Sequence, residues 1–256
     1  CLWNHPDNAV KVRELVLKTL RSFSREVPVD AAASRNAPQA AHATNAQPIG
    51  KLHALVKGFQ GSGTEHDPLV IDTVEHLVDL ARPEVGQKGY HFKQTEDFDC
   101  RAMTTWPTIH FKGYYHGNKK SIRLKEGTKL FKKISESSIS NLLLSGGLLA
   151  EESENQSTIT ACETDDSLIR NAKDCNIYNC RTSNFLIDNI AINCSISFCH
   201  TKNSLIKQYA DHCKISDCLV TLISNQLTEE VSGISKILKN KSIIERCFVI
   251  CDKSKN

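Results

Sequence analysis

Three six-residue stretches define the period of this chain: CNIYNC at residues 175–180, CSISFC at 194–199 and CKISDC at 213–218. Each contains the pattern Ile-x-x-Cys, and successive isoleucines of the whole series lie 18, 19, 19 and 29 residues apart. A period near 19 is typical of a solenoid built from one coil of short strands per repeat. The pattern occurs at Ile159/Cys162, Ile177/Cys180, Ile196/Cys199, Ile215/Cys218 and Ile244/Cys247.

Two further columns share this period. Cys175, Cys194 and Cys213 lie two residues before the repeated isoleucine, on the same face of an extended strand. Pairs of aliphatic residues follow six residues after the repeated cysteine. They are Leu168-Ile169, Leu186-Ile187 and Leu205-Ile206. Parallel strands stack about 4.8 Å apart, so we predict ladders of isoleucine on isoleucine and cysteine on cysteine. Counting from Ile139, six coils should give a rod of about 30 Å.

The chain has eleven cysteines, nine of them between residues 162 and 251, and three interpretations remain open. The C-x4-C pairs could indicate zinc, but zinc needs four ligands that converge on one point, and these cysteines are spread along a rod. Disulfides between adjacent coils are a second interpretation, because stacked residues come within bridging range. We favour a ladder of buried free thiols, since cysteine packs as a small hydrophobe. No metal site and no cofactor are predicted.

The composition divides the chain into four parts. Residues 1–26 contain a stretch with its apolar residues on one helical face, which predicts an amphipathic helix. Residues 27–50 are rich in Ala, Asn, Gln and Pro, which predicts a disordered linker. Residues 51–133 are predicted to form an N-terminal cap and the first coils. Residues 134–256 are predicted to form the repeats, with an insertion near 228–241, where the step between isoleucines is ten residues longer.

Short motifs follow one another in the N-terminal part. A Gly-rich turn and strand precede a helix predicted over residues 73–81, with Asp72 as its cap. The motifs are FQGSGTEHDPLVI (59–71), YHFKQTEDFD (90–99), WPTI (106–109), FKGYYHGN (111–118) and ISNL (139–142). Laid across the first coil, this helix would cover the open end of the stack, which otherwise exposes unpaired backbone.

This order of motifs resembles the N-terminal segment of bacterial right-handed parallel β-helices of the GLUG-repeat type. The sequence departs from the family pattern at His116, where Asp is usual, and at Lys119 and Lys129, where Gly is usual. The resemblance implies an all-β fold, a right-handed single-stranded parallel β-helix, in a cell-surface or secreted protein. It also implies a non-catalytic, adhesin-like module whose outer faces bind glycans or proteins of a cell surface. The alternatives are a carbohydrate-active β-helix enzyme, either lyase or hydrolase, and a spacer in a larger secreted peptidase.

A run of basic residues supplies the candidate ligand-binding patch. It contains Lys112, Lys119, Lys120, Arg123 and Lys125, and Lys129, Lys132 and Lys133 extend it, with only Glu126 opposing them in the same stretch. Such a patch could attract acidic polysaccharide, whereas a solvated rim that protects the first coil is the commoner explanation of such charges. The net charge of +3 over 256 residues is nearly balanced, so nucleic acid is not expected as a partner.

No set of residues identifies a catalytic site. Acids, a lysine and a histidine are scattered between the strands, without a spacing that ties them together, and adjacent aspartates there are more often turn residues. They are Asp165, Asp166, Asp174, Asp188, Lys207, Asp211 and His212. No run of 18 apolar residues occurs, so no membrane span is predicted. The sequence leaves the oligomeric state open.

Overall fold

The computed structural model describes residues 58–223 and 233–252. There the chain forms a parallel β-solenoid of about eight turns, which confirms the predicted fold class. The predicted helix in residues 1–26 and the linker at 27–50 lie outside the described residues. No helix in the described part of the chain has the length and apolarity needed to cross a lipid bilayer.

One ladder runs through the whole stack. Its nine members follow one another in strict parallel register, and they are Leu69, Phe92, Tyr115, Ile139, Ile159, Ile177, Ile196, Ile215 and Ile244. The first eight are at most 1% exposed, and Ile244 packs half-buried against them. The six coils counted from Ile139 are therefore present, and three ladder members precede them. The resulting stack is about 38 Å long.

The N-terminal part of the described residues contains two helices and the longest strands. Its strands are β1 (Leu69–Ile71), β2 (His91–Gln94), β3 (Phe98–Asp99), β4 (His110–Phe111), β5 (Tyr114–Ser135) and β6 (Ser138–Glu154). Between β1 and β2 lie α1 (Val74–Asp79) and α2 (Pro83–Gly86). β5 and β6 each run through almost a full coil, and their pairing shifts register at two corners, between His116 and Lys120 and between Arg123 and Thr128.

Four later coils have three short strands, one on each of three faces, and the last coil in the described residues has strands on two of them. Face A carries the isoleucine ladder on β7 (Thr158–Thr160), β10 (Asn176–Tyr178), β13 (Ser195–Ser197), β16 (Lys214–Ser216) and β19 (Ile243–Glu245). Face B contains β8 (Glu163–Thr164), β11 (Arg181–Thr182), β14 (His200–Thr201), β17 (Leu219–Ile223) and β20 (Phe248–Asp252). Face C contains β9 (Ile169–Lys173), β12 (Ile187–Ile192), β15 (Ile206–Asp211) and β18 (Ser235–Lys239).

Residues in the left-handed conformation turn the chain at both edges of face A. At the corner between faces C and A these are Glu136, Gln156, Asp174, Asn193, His212 and Lys241; at the corner between faces A and B they are Asn141, Ala161, Asn179, Phe198, Asp217 and Arg246. Their φ angles lie between 49° and 61°. Asn and Asp tolerate this conformation better than other non-glycine residues, and they occupy five of the twelve positions.

Repeat cysteines follow these left-handed residues and form two columns. The corner column, between faces C and A, contains Cys175, Cys194 and Cys213; the deep column, between faces A and B, contains Cys162, Cys180, Cys199, Cys218 and Cys247. Cys175 donates to the carbonyl of Lys173 at 3.0 Å, and Cys180 to that of Tyr178 at 3.4 Å. All eight are free thiols, and all but Cys247 are buried, in agreement with the thiol-ladder interpretation. In the described residues no cluster of three or more His, Cys, Asp or Glu side chains fits a metal ion.

Two local expectations need correction. The cap of α1 is Thr73, whose hydroxyl accepts a hydrogen bond from the His76 amide at 3.2 Å. The Asp72 carboxylate instead lies 2.8 Å from the ring of His76, so it is not available as the cap. The helix buries Leu77, and Leu80, the residue that follows it, is also completely buried in the core.

The second expectation that needs correction concerns the 29-residue step from Ile215 to Ile244. The predicted insertion near 228–241 contains a strand of the coil, because β18 pairs in parallel with β15. Ile237 and Leu238 take the positions of Tyr209 and Ala210, while Ile234 packs against the core. The part of the predicted insertion at 228–232 lies outside the described residues.

Candidate functional site

A groove runs along the outside of the solenoid at the corner between faces C and A. It encloses about 660 Å³, within the range of small-molecule binding sites. We call it the polar groove. Its lining comes from five successive coils: Glu136, Asn155, Gln156, Asp174, Cys175, Asn176, Asn193, Cys194, Ser195, His212 and Lys214. Five coils at the strand spacing give it a length of about 19 Å.

The solenoid period explains why these residues meet. Asp174, Asn193 and His212 occupy equivalent left-handed positions in three successive coils. Two residues later, the outward side chains of the short face A strands form a parallel column, in which Asn176 pairs with Ser195 and Ser195 with Lys214. The groove therefore presents amide, carboxylate, imidazole, hydroxyl and ammonium groups in a row with one repeat distance.

Charges within the polar groove are nearly balanced. Glu136 forms an ion pair with Lys112 at 2.7 Å. Asp174 accepts a hydrogen bond from the side-chain amide of Asn193 at 2.5 Å. The ring of His212 lies 2.9 Å from the Asp211 carboxylate. Two carboxylates line the groove, and they lie two coils apart, about 10 Å at the strand spacing.

An aromatic stack extends the same face beyond the N-terminal end of the groove. His91 and Tyr114 lie ring on ring, with centroids 4.1 Å apart and planes only 8° from parallel. Tyr114 is 49% exposed and pairs with Ser138, so it belongs to the outward column that later passes through Asn176. Desolvation lowers the pKa of His91, which favours the neutral ring at pH 7. We call this pair the aromatic platform.

The predicted basic patch is divided between two sides of the solenoid. Lys112 lies beside the groove, where it forms an ion pair with Glu136. Face A separates it from Lys119, at the next corner, and from Lys120 and Arg123 on the part of β5 that pairs on face B. Lys125 follows on the same strand. Within the described residues, no ion pair is formed by Lys119, Lys120, Arg123 or Lys125, whereas Lys112 forms one.

Acids of the next coil neutralise the rest of the basic run. Lys129 and Lys132 both contact Glu151, at 2.7 and 2.9 Å, and Lys133 contacts Glu154 at 2.7 Å. Hydrogen bonds from the two lysines hold the pKa of Glu151 at about 2. The linear sequence showed only Glu126 opposing this run, because these partners lie about 20 residues away along the chain.

The scattered acids do not form one site. Asp165 accepts a hydrogen bond from the Gly146 amide at 3.0 Å, and Asp166 accepts one from the Ser167 amide at 2.7 Å, as turn residues do. On face C, Asp188 forms an ion pair with Lys207 at 3.0 Å. Asp174 and His212 line the polar groove, with Asp211 beside His212.

Sequence reasoning missed most of the groove and the aromatic platform. Most members of the groove lie one or three residues before the repeated isoleucine, at positions that carry no single residue type; only Cys175 and Cys194 belonged to a column that the sequence had shown. His91 and Tyr114 lie 23 residues apart, so the 19-residue period did not relate them.

No protein-family profile, no curated protein and no solved structure matches this chain. The resemblance to GLUG-type repeats therefore stays a prediction, while the β-solenoid fold that it implies is what the chain adopts.

Proposed function

We propose that this β-solenoid is a non-catalytic module that binds a polysaccharide chain along the polar groove and the aromatic platform. The observation that carries the proposal is the row of equivalent polar side chains along one open corner. A polymer of repeating units fits a surface whose donors and acceptors also repeat. The cell-surface or secreted location belongs to the same proposal, and it is supported only by the family resemblance.

The chemistry of the groove suits a sugar chain. Asn176 and Asn193 each offer an amide donor and acceptor, and Ser195 offers a hydroxyl, which match the paired hydroxyl groups of a pyranose ring. Tyr114 presents about half of its surface to solvent on a ring already held by His91. An exposed aromatic face with little freedom to move is suited to the apolar face of a sugar, since burying it costs little conformational entropy.

The charges favour a neutral polysaccharide over an acidic one. Glu136 and Asp174 in the groove are offset by Lys112 and Lys214, so no excess of positive charge is present to attract carboxylates or sulfates. The partners of these two carboxylates also argue against hydrolysis of a bound polysaccharide. Glycosidases use a pair of carboxyl groups that flank one bond, and here Glu136 is held by a lysine and Asp174 by an asparagine amide.

Affinity electrophoresis in gels that contain soluble polysaccharides tests this function. We expect a neutral polysaccharide to retard the protein more than an acidic one. Tyr114→Ala and Asn176→Ala should each weaken the retardation by about tenfold, which corresponds to about 1.4 kcal/mol. Tyr178→Ala is the matched control, because Tyr178 is also exposed, at 40%, but belongs neither to the lining of the groove nor to the aromatic platform.

Two results would contradict the proposal. One is the absence of retardation by every polysaccharide in the panel. The other is retardation that Tyr178→Ala reduces as much as Tyr114→Ala does, since binding would then not depend on the aromatic platform. Release of reducing ends from a retained polysaccharide would instead identify a carbohydrate-active enzyme.

A further inference from the structure

We propose that the corner column of Cys175, Cys194 and Cys213 is a site of oxidative modification, at which a small peroxide joins Cys194 to one neighbour by a disulfide bond. The bond would tie two successive coils together directly beneath the polar groove. This inference does not depend on what the groove binds.

The register brings the three residues into bridging range. The amide of Ser195 donates to the carbonyl of Cys175 at 2.9 Å, and the amide of Lys214 donates to that of Cys194 at 2.9 Å. Equivalent residues of adjacent parallel strands lie about 4.8 Å apart. That spacing falls within the range of Cα separations that disulfides span, about 4.4–6.8 Å.

The two cysteine columns differ in their position relative to the polar groove. Cys175 and Cys194 form part of the lining of the groove, whereas no cysteine of the deep column does. The thiols of both columns are nearly fully buried, since Cys175, Cys194, Cys180 and Cys199 are each at most 2% exposed. A reagent of the size of hydrogen peroxide therefore needs only a small local opening of the groove wall to reach the corner column, whereas Cys162, Cys180, Cys199 and Cys218 do not border the groove.

The residue types in the flanking coils also distinguish the corner column from the deep column. The corner column continues as serine in the flanking coils, at Ser137, Ser157 and Ser242, and each hydroxyl donates to a nearby carbonyl. The deep column continues as Leu142 before Cys162. A position that holds serine in three coils and cysteine in three is compatible with a polar group, whereas the deep column holds only leucine or cysteine from Leu142 onward.

The reaction balances with one peroxide per bridge. The thiolate of one cysteine attacks a peroxide oxygen, the O–O bond breaks, and the hydroxide released takes a proton to become water. The resulting sulfenic acid is attacked by the second thiol, which forms the S–S bond and expels a second water. Two thiols are oxidised, and the peroxide is reduced by two electrons. Cys194 is the neighbour of both other thiols, so each molecule can form one bridge and keeps one free thiol in this column.

Peptide mapping after mild oxidation tests the proposal. The folded protein is treated with an equimolar amount of hydrogen peroxide, its remaining thiols are alkylated in denaturant, and non-reducing digests are analysed by mass spectrometry. We expect one bridge per molecule, either Cys175–Cys194 or Cys194–Cys213. We expect Cys162, Cys180, Cys199 and Cys218 to be recovered alkylated.

Variants of the two columns provide the controls. Cys194→Ser should abolish the bridge while keeping the fold, since serine already occupies this column in three coils. Cys199→Ala, in the deep column, should leave the bridge unchanged. The proposal is overturned if all thiols are recovered alkylated, if Cys162, Cys180, Cys199 or Cys218 is oxidised first, or if Cys175, Cys194 and Cys213 become sulfinic acids without a bridge.

Discussion

At the scale of single residues, the corners of the solenoid impose a backbone conformation that some side chains do not favour. Phe198 has φ of 54° and is 51% exposed, while the equivalent residue one coil earlier is Asn179 with the same φ. Left-handed backbone costs most residues about 1 kcal/mol more than it costs asparagine or glycine. Phe198→Asn should therefore raise the free energy of unfolding by about 0.5–1 kcal/mol, measured as a higher midpoint in urea denaturation.

Phe198→Ala is the matched control for this prediction. Alanine removes the exposed ring but keeps the unfavourable conformation, so we expect a stability within about 0.5 kcal/mol of the unmodified protein. If Phe198→Asn were no more stable than Phe198→Ala, conformational strain at this corner would not be the reason for any change.

The residues of the core were predictable from the sequence, and those of the corners were not. Ile177 and Cys180 repeat as the same residue type because the same buried space recurs in every coil. Corner positions are defined by φ, and at the corner between faces C and A closure of the coil enforces that φ on Glu136, Gln156 and His212 as well as on asparagine. No residue type marks such a column, so the polar groove beside it could not be assigned.

At the scale of strands, one carboxylate joins three consecutive coils on face C. Glu151 on β6 contacts Lys129 and Lys132 on β5, and Arg170 on β9 at 3.5 Å. Its pKa is lowered from 4.5 to about 2 in the folded protein. The stability that it contributes is therefore present above pH 4.5 and is lost as the pH falls through about 2.

Glu151→Gln should lower the free energy of unfolding at pH 7 by about 1 kcal/mol and have little effect at pH 2. Urea denaturation at both pH values checks this. Glu126→Gln is the control, because Glu126 is exposed on β5 and forms no ion pair within the described residues. It should change stability by less than about 0.5 kcal/mol at either pH. An equal loss at pH 2 and pH 7 for Glu151→Gln would exclude the electrostatic explanation.

The strands of the solenoid were predicted only in part from the sequence. Strands with the 19-residue period were found because both spacing and residue type repeat. The ladder also includes Leu69, Phe92 and Tyr115, in coils of 23 or 24 residues. Their larger side chains fill a wider core, in which Phe111 and Phe131 lie with ring centroids 5.1 Å apart. The change in both length and residue type hid these coils from a search for the repeat.

At the scale of the whole molecule, the solenoid is a linear stack in which each coil contacts only its neighbours. The stability of such a stack is close to a sum of intrinsic terms and interface terms, so its two ends need not open together. Near the N-terminal end of the described residues, Leu77 of α1 and Leu80 directly after it are completely buried. At the other end of the described residues, Ile237, Leu238 and Ile243 are between 46% and 50% exposed.

Amide hydrogen exchange should therefore be asymmetric along the stack. Within the described residues, β18 and β19 pair with a coil on one side only, whereas β10 pairs with β7 and β13. Opening the last coil breaks one interface and opening a central coil breaks two, so amides of β18 and β19 should exchange at least about tenfold faster than those of β10. Strand β1 also pairs on one side, but Leu69 and Ile71 of β1 are fully buried, so we expect its exchange to be slower than that of β19. A single exchange rate for all these strands, measured by mass spectrometry of peptic peptides, would mean that the solenoid opens as one cooperative unit and that its interfaces are not independent.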